Sequence, residues 1–209
     1  MMFSEGREIM IAVILAGGNS KRFGRDKLLA DICGKPMLYH TIQRLMAARN
    51  ISHIVLVTSK GKVAVYRELW GNIVSEDYGI GPIGGIYVAL KKYGDIFVVG
   101  GDMPLINPNL VDMMIERFSE GDYSICIGHW GKELFEPLHA VYSANLITPI
   151  AKNISSGEYS LHKLIHRVSN RCLINIRELT PREAQSFFNV NTPRDYEYIR
   201  NSLLCVHGK

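Results

Sequence analysis

The run Ile9–Ala16 constrains the fold more than any other feature of the 209-residue chain. An unbroken apolar stretch of this length reads as a strand buried on both faces, the kind found in parallel sheets covered by helices. It runs directly into Gly17-Gly18, then Lys21, Arg22, Gly24, Arg25 and the pair Asp26-Lys27. Open α/β sheets bind ligands in such loops at the C-terminal ends of their strands. Glycines let backbone N–H groups come close to a phosphate, and clustered cations suit a polyanion. The segment therefore predicts a nucleoside triphosphate site. Its spacing is neither G-x-G-x-x-G nor a P-loop, because Lys27 lies three residues beyond Gly24 and is followed by Leu28.

The bulk numbers fit one globular domain. Apolar residues make up 47% and charged residues 21%, and the net charge of +4 is too mild to argue for nucleic acid. An anionic small molecule accounts for the surplus equally well. Four cysteines, at 33, 126, 172 and 205, form no C-x-x-C pair, so neither a zinc knuckle nor a disulfide framework is expected. Cys33 reads as a small buried thiol. No stretch reaches the length of a membrane span, and Glu5 and Glu8 flank the first apolar run, unlike a signal peptide. The expected location is the cytoplasm, with no nucleic-acid or membrane partner.

Strand and helix signals alternate along the chain. Strands are predicted at Ile9–Ala16, Ile54–Thr58, Ile73-Val74 and Ile96–Val99. Helices are predicted from Pro36 (with Leu38, Ile42, Leu45 and Met46), over Val63–Leu69, from Pro82 and from Pro108. Further strands are expected at Tyr123–Gly128 and Leu138–Tyr142, with helices at Leu161–Val168 and Pro193–Ser202. This alternation with short connections predicts an α/β fold with a mostly parallel central sheet between two helical layers. One domain is expected over 1–209, with a nucleotide-binding part at about 9–120 and an acceptor-binding part at about 121–209.

Three loops end predicted strands and so meet at one sheet edge. The first is Gly17–Lys27. The second runs from Glu76-Asp77 to Gly81-Pro82-Ile83-Gly84-Gly85, whose glycines leave room for a base or ribose. The third carries Asp102, a fitting carboxylate for Mg²⁺, which takes one or two carboxylates plus phosphate oxygens and water. Taken alone, Asp102 could equally cap a turn and Glu76-Asp77 could be solvated loop. Together they make an inventory for nucleotidyl transfer.

Leu15-Ala16-Gly17-Gly18, Arg22-Phe23-Gly24, Asp26-Lys27-Leu28, Gly34-Lys35-Pro36-Met37, Gly81–Gly85, Gly101-Asp102-Met103-Pro104 and Asn189-Val190-Asn191-Thr192-Pro193 together resemble the molybdenum cofactor guanylyltransferase (MobA-like) family. The leading loop is common to many nucleotidyltransferases, whereas the Asp-Lys pair and the Asn-Val-Asn-Thr-Pro segment narrow the resemblance. It implies a Rossmann-like three-layer nucleotidyltransferase fold and transfer of GMP from GTP to the phosphate of Mo-molybdopterin, with Mg²⁺ as cofactor and pyrophosphate as the second product. It further implies nucleotide contacts from Leu15, Ala16, Gly17, Gly18, Lys27, Asp77 and Asp102, the last also holding the metal. Arg22 and Lys27 would clamp phosphate charge, and Asn189 and Asn191 would face the acceptor. Transient contacts with other proteins of molybdenum cofactor synthesis are also expected. The family often places a nucleotide-touching asparagine after the second long strand, where this chain has Thr58 and Ser59. His139 reads as a core histidine. Competing readings are a molybdopterin cytidylyltransferase, a guanylyltransferase for another phosphorylated acceptor, and a non-catalytic nucleotide-binding regulator.

Overall fold

A computed structural model describes residues 9–17, 26–131 and 134–200. Its centre is a seven-stranded sheet. In chain order the strands are β1 (Met10–Leu15), β4 (Ile51–Ser59), β5 (Ile73–Glu76), β6 (Ile96–Gly100), β7 (Ile125–His129), β8 (Phe135–Tyr142) and β9 (Arg171–Asn175). A small hairpin pairs β2 (Asp31–Ile32) with β3 (Lys35–Pro36). The spatial order is β5-β4-β1-β6-β8-β7-β9. β5, β4, β1 and β6 run parallel, β8 is antiparallel to both its neighbours, and β9 is parallel to β7. The chain builds β4 and β5 on one side of β1 and then crosses to place β6 on the other. Such a reversal opens a crevice at the strands' C-terminal ends.

Alternate strand residues feed two core layers, as period-2 geometry requires. Ala12, Ile14, Leu56, Phe97 and Val99 pack with α1 (Met37–Met46) and α4 (Pro108–Ser119). Val13, Val55, Val57 and Val98 pack on the opposite face with α3 (Pro82–Tyr93), α5 (Ile147–Ser155) and α6 (Leu161–Arg167). The predicted helical faces are buried as expected at Leu38, Ile42 and Leu45, and at Leu110, Val111, Met114, Ile115 and Phe118. Met46, expected on the buried face of α1, is instead exposed, because it stands at the helix's last position beside the turn at Ala47. A third cluster joins Ile32, Met37, Leu105, Val190 and Ile199. It seats the C-terminal segment, with α8 (Pro193–Ile199), against the loop that follows β6.

Short elements complete the fold: α2 (Val63–Arg67), α7 (Pro181–Ala184) and a 3₁₀ turn at Lys27–Leu29. Cys33 departs from its expectation. It occupies the hairpin turn with φ 53° and is exposed and disulfide-bonded, because a turn between two-residue strands leaves its side chain outside any core. Cys126 and Cys172 are free and buried. Among the described residues, no helix is long and apolar enough to cross a membrane.

Candidate active site

The turn after β1 is fixed by hydrogen bonds that consume its first polar groups. The Ala16 N–H donates to the Val57 carbonyl (2.8 Å), and the Leu15 carbonyl accepts from the Gly101 N–H (3.1 Å). The Ala16 carbonyl accepts from the Thr58 hydroxyl (3.0 Å). Thr58 is therefore a buried strut between strands rather than a group facing a nucleotide. Ala16 is itself core, so a ligand would meet Leu15 and Ala16 only at the margin of the turn. Gly17 is exposed, with open space where a Cβ would project.

Lys27 begins the 3₁₀ turn that Asp26 caps, its carboxylate accepting from the Leu28 N–H. From there the Lys27 ammonium reaches Asp102 Oδ2 at 2.5 Å, the Val190 carbonyl at 2.8 Å and Asn191 Oδ1 at 3.2 Å. The Val190 N–H in turn donates to the Asp102 carbonyl (2.9 Å). Three segments far apart in sequence thus converge on one cation: the loop after β1, the loop after β6 and the C-terminal segment. Two glycines make room for this arrangement. A Cβ at Gly100 would lie 2.6 Å from Asp102 Oδ1, and one at Gly101 would lie 3.0 Å from Leu28 Cδ1.

The loop after β5 contributes separately. Asp77 is exposed and accepts from the Ser75 hydroxyl (2.8 Å), while Glu76 Oε1 accepts from the Gly79 N–H (3.0 Å). Gly79 and Gly81 have positive φ (65° and 82°) with open space beyond them, as a ligand-facing turn needs. Gly84 and Gly85 do not serve that purpose. A Cβ at Gly84 would lie 2.6 Å from Glu76 Oε1, and one at Gly85 would lie 2.9 Å from Leu15 Cδ2. They let α3 pack closely, so within the motif open space lies beside Gly81 and not beside Gly84 or Gly85.

Of the two asparagines expected to face the acceptor, Asn191 joins the Lys27 cluster. Asn189 is half-buried and donates to the Phe187 carbonyl (3.1 Å). Gly18 and Arg22 lie outside the described residues. His139 is fully buried, as expected of a core histidine. Its Nε2 lies 2.7 Å from Ser186 Oγ, its ring packs between Phe97 and Phe187, and burial lowers its pKa to about 4.

Sequence reasoning missed the support beneath Lys27. Asp26 Oδ2 accepts from the Tyr66 hydroxyl (2.7 Å) and the Lys62 ammonium (3.0 Å). The available signal was slight: an Asp before a short turn is a capping residue type. Nothing in the sequence ties it to Tyr66.

No cluster of three or more His, Cys, Asp or Glu side chains occurs among the described residues. Asp102, the carboxylate nearest Lys27 in the described part of the site, already carries that ammonium on its Oδ2. That donor set does not suit an all-protein cage. It does suit Mg²⁺ arriving with a polyphosphate, where phosphate oxygens and water fill most positions.

The profile of the MobA-like NTP transferase domain matches residues 12–172. A Thermococcus sibiricus protein called "Probable molybdenum cofactor guanylyltransferase" is 45% identical over 93% of this chain and 99% of its own. A Pyrococcus furiosus protein of the same description is 41% identical over 93% of this chain and 98% of its own. Among solved structures, molybdopterin-guanine dinucleotide biosynthesis protein A from Archaeoglobus fulgidus superposes with a TM-score of 0.80 at 23% identity, covering 91% of this chain and 97% of its own.

Proposed function

The chain belongs to the MobA-like NTP transferase family, and from that premise we propose that it is a molybdenum cofactor guanylyltransferase. It transfers GMP from GTP to the terminal phosphate of Mo-molybdopterin and releases pyrophosphate. The similarity to relatives carrying that description supports the reaction. The convergence of Lys27, Asp102 and Asn191 supports the site, because it sets a phosphate-binding cation beside the segment assigned to the acceptor.

The residues present suit the chemistry. The attacking phosphate is already anionic, so no strong general base is needed, and rate comes from alignment and charge neutralisation. Lys27 contacts the triphosphate and stabilises charge that develops on the departing pyrophosphate. Asp102 would hold Mg²⁺, which would supply further neutralisation of the triphosphate charge. Gly17 and its exposed backbone border the phosphates, and Asp77 takes the nucleoside. Asn191 orients the acceptor from across the Lys27 cluster.

Incubating the protein with Mg²⁺, molybdopterin and each of the four NTPs in turn, with mass detection of dinucleotide products, tests the reading. A guanine dinucleotide formed only with GTP is expected. A cytosine dinucleotide, or nucleotide consumed only with another phosphorylated acceptor, would replace it.

A further inference from the structure

A helical cap needs one side-chain oxygen, and Asp26 has that in the bond from the Leu28 N–H to Oδ1. Its second oxygen is held from a different part of the fold. Oδ2 accepts from Tyr66 Oη at 2.7 Å and from Lys62 Nζ at 3.0 Å, both from the segment that follows β4. This anchor is rigid. Tyr66 is fully buried, and its carbonyl accepts from the N–H groups of Leu69 and Trp70. The Trp70 indole N–H closes the connection to the Ile54 carbonyl of β4 (3.0 Å). Burial, then the adjoining carboxylate, hold the Tyr66 phenol far above its ordinary titration range, so it remains a donor.

The residue after Asp26 is Lys27, whose ammonium meets Asp102, Val190 and Asn191. A flexible lysine placed at the entry of a short turn gains precision only if that turn is fixed, and active-site groups lose rate with displacements near 1 Å. We propose that Asp26 is a positioning residue, clamped by Tyr66 and Lys62, that aims Lys27 at the phosphates of the bound nucleotide. This rests on the reading above that Lys27 contacts the triphosphate.

The test is a double-mutant cycle on pyrophosphate release with GTP, Mg²⁺ and molybdopterin. Tyr66→Phe deletes one hydroxyl and keeps the buried ring, and Lys62→Met deletes the ammonium and keeps the stem. Each is measured alone and combined with Lys27→Met. Each should lower kcat about tenfold in the parent protein, with KM for GTP changed less than about twofold. In the Lys27→Met background the same substitutions should change kcat by less than about twofold, because the group they aim is gone. An equal factor in both backgrounds refutes the clamp while leaving the role of Lys27 intact. Normal turnover by Lys27→Met alone overturns the phosphate contact itself, and the aiming proposal falls with it. An Asp26→Asn variant that folds should match Tyr66→Phe in direction and in its dependence on Lys27.

Discussion

Lys27 Nζ lies 2.5 Å from Asp102 Oδ2, an ion pair that joins the loop after the first strand to the loop after β6 across 75 residues. Both side chains are mostly shielded, at 15% and 18% exposure, so each charge senses the other through less water than at an open surface. On the proposed function, the pair puts the cation assigned to the phosphates and the carboxylate assigned to Mg²⁺ in one place. Asp102→Asn keeps the shape and removes the charge. Turnover should be nearly abolished, whereas a protein that merely bound nucleotide would change only in affinity. Lys27→Met should lose roughly two to three powers of ten in kcat, the usual worth of an electrostatic stabiliser. Steady-state kinetics beside nucleotide titrations check both.

The same contact has a consequence for metal binding. While Lys27 sits on Asp102 Oδ2, a divalent ion must compete for that oxygen. The protein without nucleotide should therefore bind Mn²⁺, used as a spectroscopic probe for Mg²⁺, only weakly. Lys27→Met should tighten that binding by roughly fivefold, which corresponds to ~1 kcal/mol for a part-shielded ion pair. Electron paramagnetic resonance titration reads it directly, and unchanged or weaker Mn²⁺ binding would mean that the lysine does not guard the carboxylate.

Gly100 makes a separate prediction about geometry. A methyl group there would stand 2.6 Å from Asp102 Oδ1, closer than real contacts allow, and the group that must yield is a movable carboxylate. Gly100→Ala should thus cost little stability, because the side chain can turn away. On the proposed role of Asp102, turnover should fall at least about tenfold, since a site carboxylate displaced by about 1 Å loses most of its alignment. Thermal melting and kcat measured on the same sample separate the two effects.

How much of this was legible in the sequence depends on the range of the contact that carries it. The central strands were readable because burial on both faces imposes unbroken apolar runs, as in Ile96–Val99. Asp102 was readable because it comes just after such a strand, and Lys27 because it closes the glycine-rich, basic loop that β1 opens. Helix α5 was missed, since Pro149 near its start and β-branched neighbours argue locally against helix, although proline is tolerated in a first turn. Strand β9 was missed for another reason. It lies at the sheet edge with Leu173 exposed, so its apolar pattern is short and broken. The clamp of Asp26 by Tyr66 was beyond reach because it depends on how α2 packs, 40 residues away. Cys33 misled because reading it as a buried thiol required a core that its hairpin turn does not have.

His139 supplies a prediction that needs no substrate. Its ring is fully buried between Phe97 and Phe187, and burial lowers its pKa from 6.5 to about 4. In the unfolded chain the same imidazole takes up a proton near its ordinary pKa, while the folded protein resists protonation until much lower pH. The folded state is therefore undiminished above about pH 6.5 and loses stability progressively as pH falls towards 4. The full loss from this one group approaches ~3 kcal/mol. His139→Gln removes the titration and keeps a polar group facing Ser186 Oγ. It should be less stable than the parent at pH 7, where a tailored core contact is lost. Between pH 7 and pH 4.5 the gap should narrow or close, because only the parent pays for excluding a proton. Urea unfolding of both proteins at the two pH values measures the difference, and a gap that stays constant would show that His139 is protonated in the fold or already neutral in the unfolded chain.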